Sequence, residues 1–143
     1  IERLGDYALV LARETSYMKK CEVRFLDQTK DELSEIYKDI SELFDLSFDA
    51  FTKKKIDNFG RISELHQQIR KLIYCTRDEH VARLSSGMYP VEVSKSVYSV
   101  LFSLQRIADH TVNIAFSIRS TTGSKREALQ AIESEQVEYP DGI

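Results

Sequence analysis

A chain of 143 residues with 42% hydrophobic and 30% charged residues has the length and composition of one globular domain. Its formal net charge of −3 excludes the basic character of a nucleic-acid-binding protein, and no apolar run approaches the ~18 residues of a membrane span, so we expect a chain that neither crosses a membrane nor is exported. The chain contains only five Gly and two Pro, and this scarcity of chain breakers favours long helices.

Apolar residues recur every three or four positions in four segments, a pattern that predicts amphipathic helices. These segments cover residues 1–15, 26–50, 56–84 and 93–118. The fourth is the most regular, because its apolar positions alternate in steps of four and three. No segment alternates with period two for long enough to indicate a strand. We therefore predict an all-α fold, an antiparallel bundle of three to four long helices.

The predicted helices are separated by chain breakers and by one poorly marked bend, which we place at residues 52–56. Gly87 suits the left-handed position after the third helix, and Pro90 suits the first turn of the fourth. The first helix could run on into the second, pack as a fourth member or pair with another copy. We assign residues 1–121 to the bundle and residues 122–143 to a polar tail whose thin apolar stripe would suit a short helix.

Two segments of the sequence repeat the same residue pattern with an offset of 103 positions, the size of a structural repeat. They are Ile1-Glu2-Arg3-Leu4-Gly5-Asp6-Tyr7-Ala8 and Leu104-Gln105-Arg106-Ile107-Ala108-Asp109-His110-Thr111. The two polar positions of each copy are four residues apart, so they lie one turn from each other on a single helix face.

The acidic residues of this repeat are candidate metal ligands. Glu2 and Asp6 could chelate one cation if another helix supplies further oxygens or imidazole, although a solvated acidic face explains the same spacing. In the second copy Gln105 replaces the glutamate, so only Asp109 carries a negative charge. His110 could ligate a cation or form a hydrogen bond within the bundle.

Other sites with recognisable chemistry are absent from the sequence. There is no HExxH pattern, no phosphate-binding loop of the Walker type and no nucleophile elbow, so we predict no catalytic residues. The serines at residues 94 and 96 have no base at helical spacing. Cys21 and Cys75 are too few for a metal cluster, and we interpret them as small core residues in a reducing compartment.

Both copies of the motif resemble the hallmark helix of the PhoU family, whose members consist of tandem three-helix repeats that each end in such a helix. The longer run is similar to the PhoU-like cytoplasmic domain of bacterial sodium/phosphate cotransporters. That run contains His80-Val81-Ala82-Arg83-Leu84, Gly87, Pro90-Val91-Glu92 and Gln105-Arg106-Ile107-Ala108-Asp109-His110-Thr111-Val112-Asn113-Ile114-Ala115. The resemblance implies that residues 1–15 are the last helix of one repeat and residues 22–119 a complete second repeat.

The resemblance also implies a function, a location and partners. PhoU-like proteins are non-catalytic adaptors in phosphate uptake, so we expect a cytoplasmic regulatory domain, tethered to the inner face of the membrane by an upstream transporter domain. The expected partners are a second copy of the chain in a homodimer and either the transporter membrane domain or a phosphate-signalling protein, with no nucleic acid.

Some family members bind a divalent or iron-group metal through the acidic motif, which carries over here to Glu2, Asp6 and Asp109. The chain departs from that pattern at Gln105 and on the preceding helix, where His66 and Arg70 stand at positions expected to hold carboxylates. Arg70 would repel a cation, so a metal titration is expected to show weak binding at best. The remaining motif residues would then be structural, and they are Arg3, Gln105, Arg106 and His110.

Two other functions fit parts of the sequence. A structural dimerisation bundle unrelated to phosphate would explain the apolar patterning, with the motif repeat as coincidence. A carboxylate-bridged metal enzyme would need Glu-x-x-His pairs on facing helices, and the sequence contains none.

Overall fold

The computed structural model describes residues 2–54, 56–88 and 90–117, and it folds them into four helices. The helices are α1 (Glu2–Lys20), α2 (Asp27–Lys53), α3 (Phe59–Ser85) and α4 (Val91–Phe116). None of these ranges contains a strand, so the predicted all-α fold is confirmed. The bend predicted at residues 52–56 lies where α2 ends. The predicted tail at 122–143 and the last four bundle residues, 118–121, lie outside the described residues.

Helices α2, α3 and α4 pack against each other in all three pairings and form a three-helix bundle. Each contributes one apolar stripe at three- and four-residue spacing, which is why the core lies along the common axis. Ile36, Leu43, Ile62, Ile69 and Leu101 are fully buried there. Burial of each such side chain stabilises the fold by about 1.5–3 kcal/mol.

Helix α1 packs on α4 and contributes no buried residue. Tyr7, near the start of α1, contacts Arg106 in the second half of α4, whereas Tyr17 lies beside Lys95 in the first turns of α4. The two helices therefore run antiparallel. Of the three arrangements expected for the first helix, the structure shows the one in which it joins the bundle as a fourth member, because α1 ends at Lys20 and α2 starts at Asp27.

Helix α3 ends at a left-handed glycine, as predicted for Gly87. Gly87 has φ of +75°, a left-handed conformation that glycine adopts without a steric penalty. The Gly87 N–H donates to the Leu84 carbonyl at 3.0 Å, and the Met88 N–H donates to the Arg83 carbonyl at 3.0 Å. This pair of bonds is the Schellman motif, which satisfies carbonyls that the helix end leaves open. Pro90 then caps the start of α4.

The two cysteines differ from their predicted role. Cys21 and Cys75 are both free and both exposed, so neither is a small core residue. Cys21 lies just after the end of α1 and Cys75 lies on the outer face of α3, where the helical period turns it away from its buried neighbour Thr76. As for the membrane, none of the helices in the described part of the chain combines the length and the apolar character needed to cross a bilayer.

Candidate functional site

The two copies of the repeated motif meet where α1 crosses α4. Tyr7 in the first copy stacks on His110 in the second, with ring centroids 5.7 Å apart and planes inclined by 25°. These residues occupy the same motif position, since their numbers differ by the repeat offset. Arg106 Nε donates to the Tyr7 hydroxyl at 3.4 Å, and its guanidinium lies 6.0 Å from the centre of the Tyr7 ring. The motif copies thus contact each other between α1 and α4.

Asp109 lies at the centre of an ion-pair cluster that joins α3 to α4. Its Oδ1 contacts Nε2 of His66 at 2.9 Å, and its Oδ2 lies 3.6 Å from Nη1 of Arg106. If Asp109 is structural rather than a metal ligand, the sequence predicts that it pairs with Arg70 or Arg106. The structure shows the pairing with Arg106 and adds His66, whereas Arg70 is exposed.

Gln105, the residue that replaces glutamate in the second motif copy, also has a partner within the bundle. Arg77 Nη2 donates to Gln105 Oε1 at 3.4 Å, and the Arg77 guanidinium lies 5.4 Å from the centre of the Tyr74 ring. A neutral amide next to an arginine provides no negative charge that could bind a cation. The Gln105 side chain is therefore directed at a protein partner.

The candidate ligands of the first copy lie apart from this cluster. Glu2, Arg3 and Asp6 are all exposed on α1. Within the described residues no hydrogen bond or ion pair joins Glu2 or Asp6 to Asp109, and no three His, Cys, Asp or Glu side chains are grouped closely enough to hold a metal ion. Asp109 contacts His66 and Arg106, and the positive charge of the guanidinium weakens the attraction of this carboxylate for a cation. Metal binding at Glu2, Asp6 and Asp109 stays a prediction that a metal titration tests.

A second polar cluster, which sequence reasoning did not find, ties α2 to α3. Arg83 makes a two-pronged pair with Glu32, Nη1 to Oε1 and Nη2 to Oε2, each at 2.7 Å, and its Nη1 lies 3.9 Å from Glu79. Burial raises the pKa of Glu32, but hydrogen bonds and charge from Arg83 outweigh it and hold that pKa below its ordinary value. The Glu32 carboxylate in turn raises the pKa of Glu79.

The same end of the bundle contains a histidine–serine pair. His80 on α3 and Ser94 on α4 are hydrogen-bonded at 2.9 Å, and the His80 ring meets Tyr98 edge-on with centroids 5.4 Å apart. Ser94 has no base at helical spacing on its own helix, and its partner comes instead from the neighbouring helix α3. His80 is 0% and Ser94 5% exposed, so a substrate has no access and the pair is structural.

Burial lowers the pKa of His80 below its ordinary value of 6.5. The nearby positive charge of Arg83 lowers this pKa further, while the negative charge of Glu32 acts in the opposite direction. His80 is therefore held in its neutral form within the bundle at neutral pH, where it bonds to Ser94.

Burial likewise lowers the pKa of His110 from 6.5, and the charges of Arg106 and Arg3 add to this effect against an opposing contribution from Asp109. The Nε2 atom of His110 is buried and, within the described part of the chain, has no hydrogen-bond partner. Protonation of this nitrogen would place a positive charge in the contact between the His110 and Tyr7 rings.

Both shifts predict that acid destabilises the fold. A histidine whose pKa is lower in the folded chain binds more protons when unfolded, so its contribution to stability is complete above pH ~6.5 and is lost as the pH falls below that value. We expect the urea midpoint to fall between pH 7.5 and 5.5, and the double variant His80→Gln/His110→Gln to show a smaller fall. Urea titrations followed by circular dichroism measure both, and an equal fall in the variant would contradict this assignment.

Comparison with known proteins identifies one family. A family model described as "PhoU domain" matches residues 33–118, which is more than half of the chain. No curated protein and no solved structure matches the chain. The matched range starts in the first turns of α2 and ends just after α4, so it contains most of the three-helix bundle and the whole second motif copy, while the first copy on α1 lies before it.

Proposed function

The chain belongs to the PhoU family, and from this premise we propose that it is a non-catalytic regulatory or adaptor domain in phosphate uptake. We further propose that it forms the cytoplasmic C-terminal part of a sodium/phosphate cotransporter, tethered by that protein to the inner face of the membrane. The observation that carries the proposal is the family match over residues 33–118, which includes the motif Gln105-Arg106-Ile107-Ala108-Asp109-His110 on α4.

The arrangement of charges supports a role in protein binding. Asp109 and Gln105 contact side chains of the same chain, and the His80–Ser94 pair is closed to substrate, so these four polar residues hold helices together. The first motif copy instead presents Glu2, Arg3 and Asp6 to solvent on α1. Exposed charges of this kind steer the encounter between proteins and select the partner. We therefore propose that α1 faces the transporter domain or a signalling protein.

The partners of this domain would include a second copy of the chain. A structural dimerisation bundle without a phosphate role remains the alternative function, and it differs from the proposal in one measurable respect. It would leave phosphate transport unchanged when the domain is added or removed.

The test uses membrane vesicles that contain a sodium/phosphate cotransporter without its cytoplasmic domain. We expect the 143-residue chain to bind these vesicles and to change the rate of sodium-dependent uptake of radiolabelled phosphate. Arg3→Glu should weaken binding roughly tenfold, because it reverses an exposed motif charge. Lys19→Glu, the same reversal at an exposed α1 position outside the motif, should bind as the wild type does. Uptake that does not respond to the chain would favour the dimerisation bundle.

A further inference from the structure

Helix α2 carries a row of aromatic side chains outside the core. Tyr37, Phe44, Phe48 and Phe51 are 66%, 42%, 49% and 42% exposed, and the rings of Phe44 and Phe48 stack with centroids 6.0 Å apart. We call these four residues the aromatic row. An aromatic side chain buries about 150–250 Å² when covered, so four half-exposed aromatic side chains leave roughly 400 Å² of apolar surface in water. The largest apolar patch on a soluble protein is typically about this size and often has a function.

The row has the spacing of a helix–helix contact. With Ser34 and Ser41 included, its positions are 34, 37, 41, 44, 48 and 51, which alternate in steps of three and four. Each of these positions comes one residue after a core-facing position of α2, so the row lies about 100° around the helix from the core face. Side chains at alternating steps of three and four form a straight row that can pack against a neighbouring helix. Helix α2 therefore has two adjacent rows of this kind, and only the core-facing row is buried in the bundle.

The large and small residues at these six positions complement each other when two α2 helices pair in antiparallel directions. If two α2 helices pair so that Tyr37 lies beside the second copy's Phe48, then Ser41 lies beside its Phe44 and Ser34 beside its Phe51. Each phenylalanine except Phe48 then faces a serine, and large opposite small is how packed layers interdigitate. Ser41 loses little on burial, because its hydroxyl already donates to the Tyr37 carbonyl at 3.0 Å.

Charges beside the aromatic row favour the antiparallel direction. Lys38 and Asp45 are exposed and occupy the same side of the row, each one residue after an aromatic side chain. An antiparallel pair brings this side of the two rows together, so Lys38 lies near the second copy's Asp45, and such opposite charges set the direction of helix pairing. In a parallel pair this side of one row faces the other side of the second row, so Lys38 and Asp45 do not meet.

From these observations we propose that the aromatic row is an antiparallel self-association surface, through which α2 packs on α2 of a second copy of this chain. This assigns a surface to the homodimer named among the partners, and it holds whether or not the domain regulates phosphate uptake. The contact is isologous, so every side-chain pair occurs twice across a two-fold axis beside Ser41.

Sedimentation equilibrium tests whether the row drives association. We expect the wild-type chain to reach twice its mass of 16.5 kDa with rising concentration. Phe48→Asp places two carboxylates in the contact between the two α2 helices and should weaken the dimer at least ~30-fold. Val81→Asp is the control, because Val81 is similarly exposed, at 46%, but lies on α3. A wild-type chain that stays monomeric, or equal weakening by both variants, would overturn the proposal.

Single cysteines test the direction of pairing, in a chain that carries Cys21→Ser and Cys75→Ser. In the antiparallel pair the two copies of residue 41 are ~5 Å apart along the axis, whereas the two copies of residue 34 are ~25 Å apart. We expect Ser41→Cys to form a disulfide-linked dimer on mild oxidation and Ser34→Cys to remain unlinked. Linkage at both positions would show parallel pairing, and linkage at neither would show that the row binds something else. Either result overturns the proposal.

Discussion

Glu32→Ala is expected to lower the free energy of unfolding by about 3–4 kcal/mol, because it leaves the Arg83 guanidinium buried without its carboxylate. The Arg83 side chain is 8% exposed and that of Glu32 16% exposed, so water replaces little of the lost pairing. The remaining acid, Glu79, is 3.9 Å from Arg83 and 56% exposed, and it cannot supply the two-pronged geometry. Chemical denaturation at pH 7 measures the loss.

Two further variants separate the buried charge from the general effect of truncation. Glu79→Ala removes the exposed partner of Arg83 and should cost less than about 1 kcal/mol. Replacing both members of the buried pair, Glu32→Leu with Arg83→Met, should recover most of the stability that Glu32→Ala loses, because no unpaired charge is then buried. Equal losses for Glu32→Ala and Glu79→Ala would show that the pair contributes nothing beyond its exposed neighbour.

Leu101→Ala should cost about 3–4 kcal/mol, the second large effect that the structure predicts. Leu101 is 0% exposed in the middle of α4, which packs against α1, α2 and α3. Truncation there removes apolar contacts and leaves a cavity that rigid neighbours fill only in part. The measurement is a urea titration followed by circular dichroism at 222 nm, with an unchanged slope as the sign that the unfolding remains two-state.

The adjacent residue is a matched control for the same helix. Phe102 is 55% exposed and touches Tyr7 edge-on, with centroids 6.3 Å apart, so Phe102→Ala should cost about 1 kcal/mol or less. The larger side chain would then have the smaller effect, which only its position on the helix can explain. A loss for Phe102→Ala as large as that for Leu101→Ala would mean that the helical phase of α4 has been assigned wrongly.

The helices could be predicted from the sequence because the residue spacing that marks a helix is visible within a short stretch of chain. A helix buries side chains at three- and four-residue spacing, so the row that includes Leu101 and Leu104 is visible in the sequence before any packing is known. The left-handed turn at Gly87 is also local, since few other residues adopt that conformation.

Contacts between helices could not be predicted in the same way. Asp109 and His66 are 43 residues apart, and Glu32 and Arg83 are 51 apart, so no periodicity along the chain relates them. The chemistry of each residue was visible, but its partner depends on how α2, α3 and α4 rotate against one another. Cys75 shows the converse error, because an apolar residue type alone does not determine which helix face it occupies.

The packing of α1 has a consequence for how this fold opens. None of its described side chains is fully buried, and its described polar contact with α4 runs through Tyr7 and Arg106, so it can detach while the other three helices stay closed. Such local opening requires less free energy than unfolding of the whole domain. While α1 is detached, the α4 surface around Arg106 and His110 that Tyr7 covers is open to the helix of another protein.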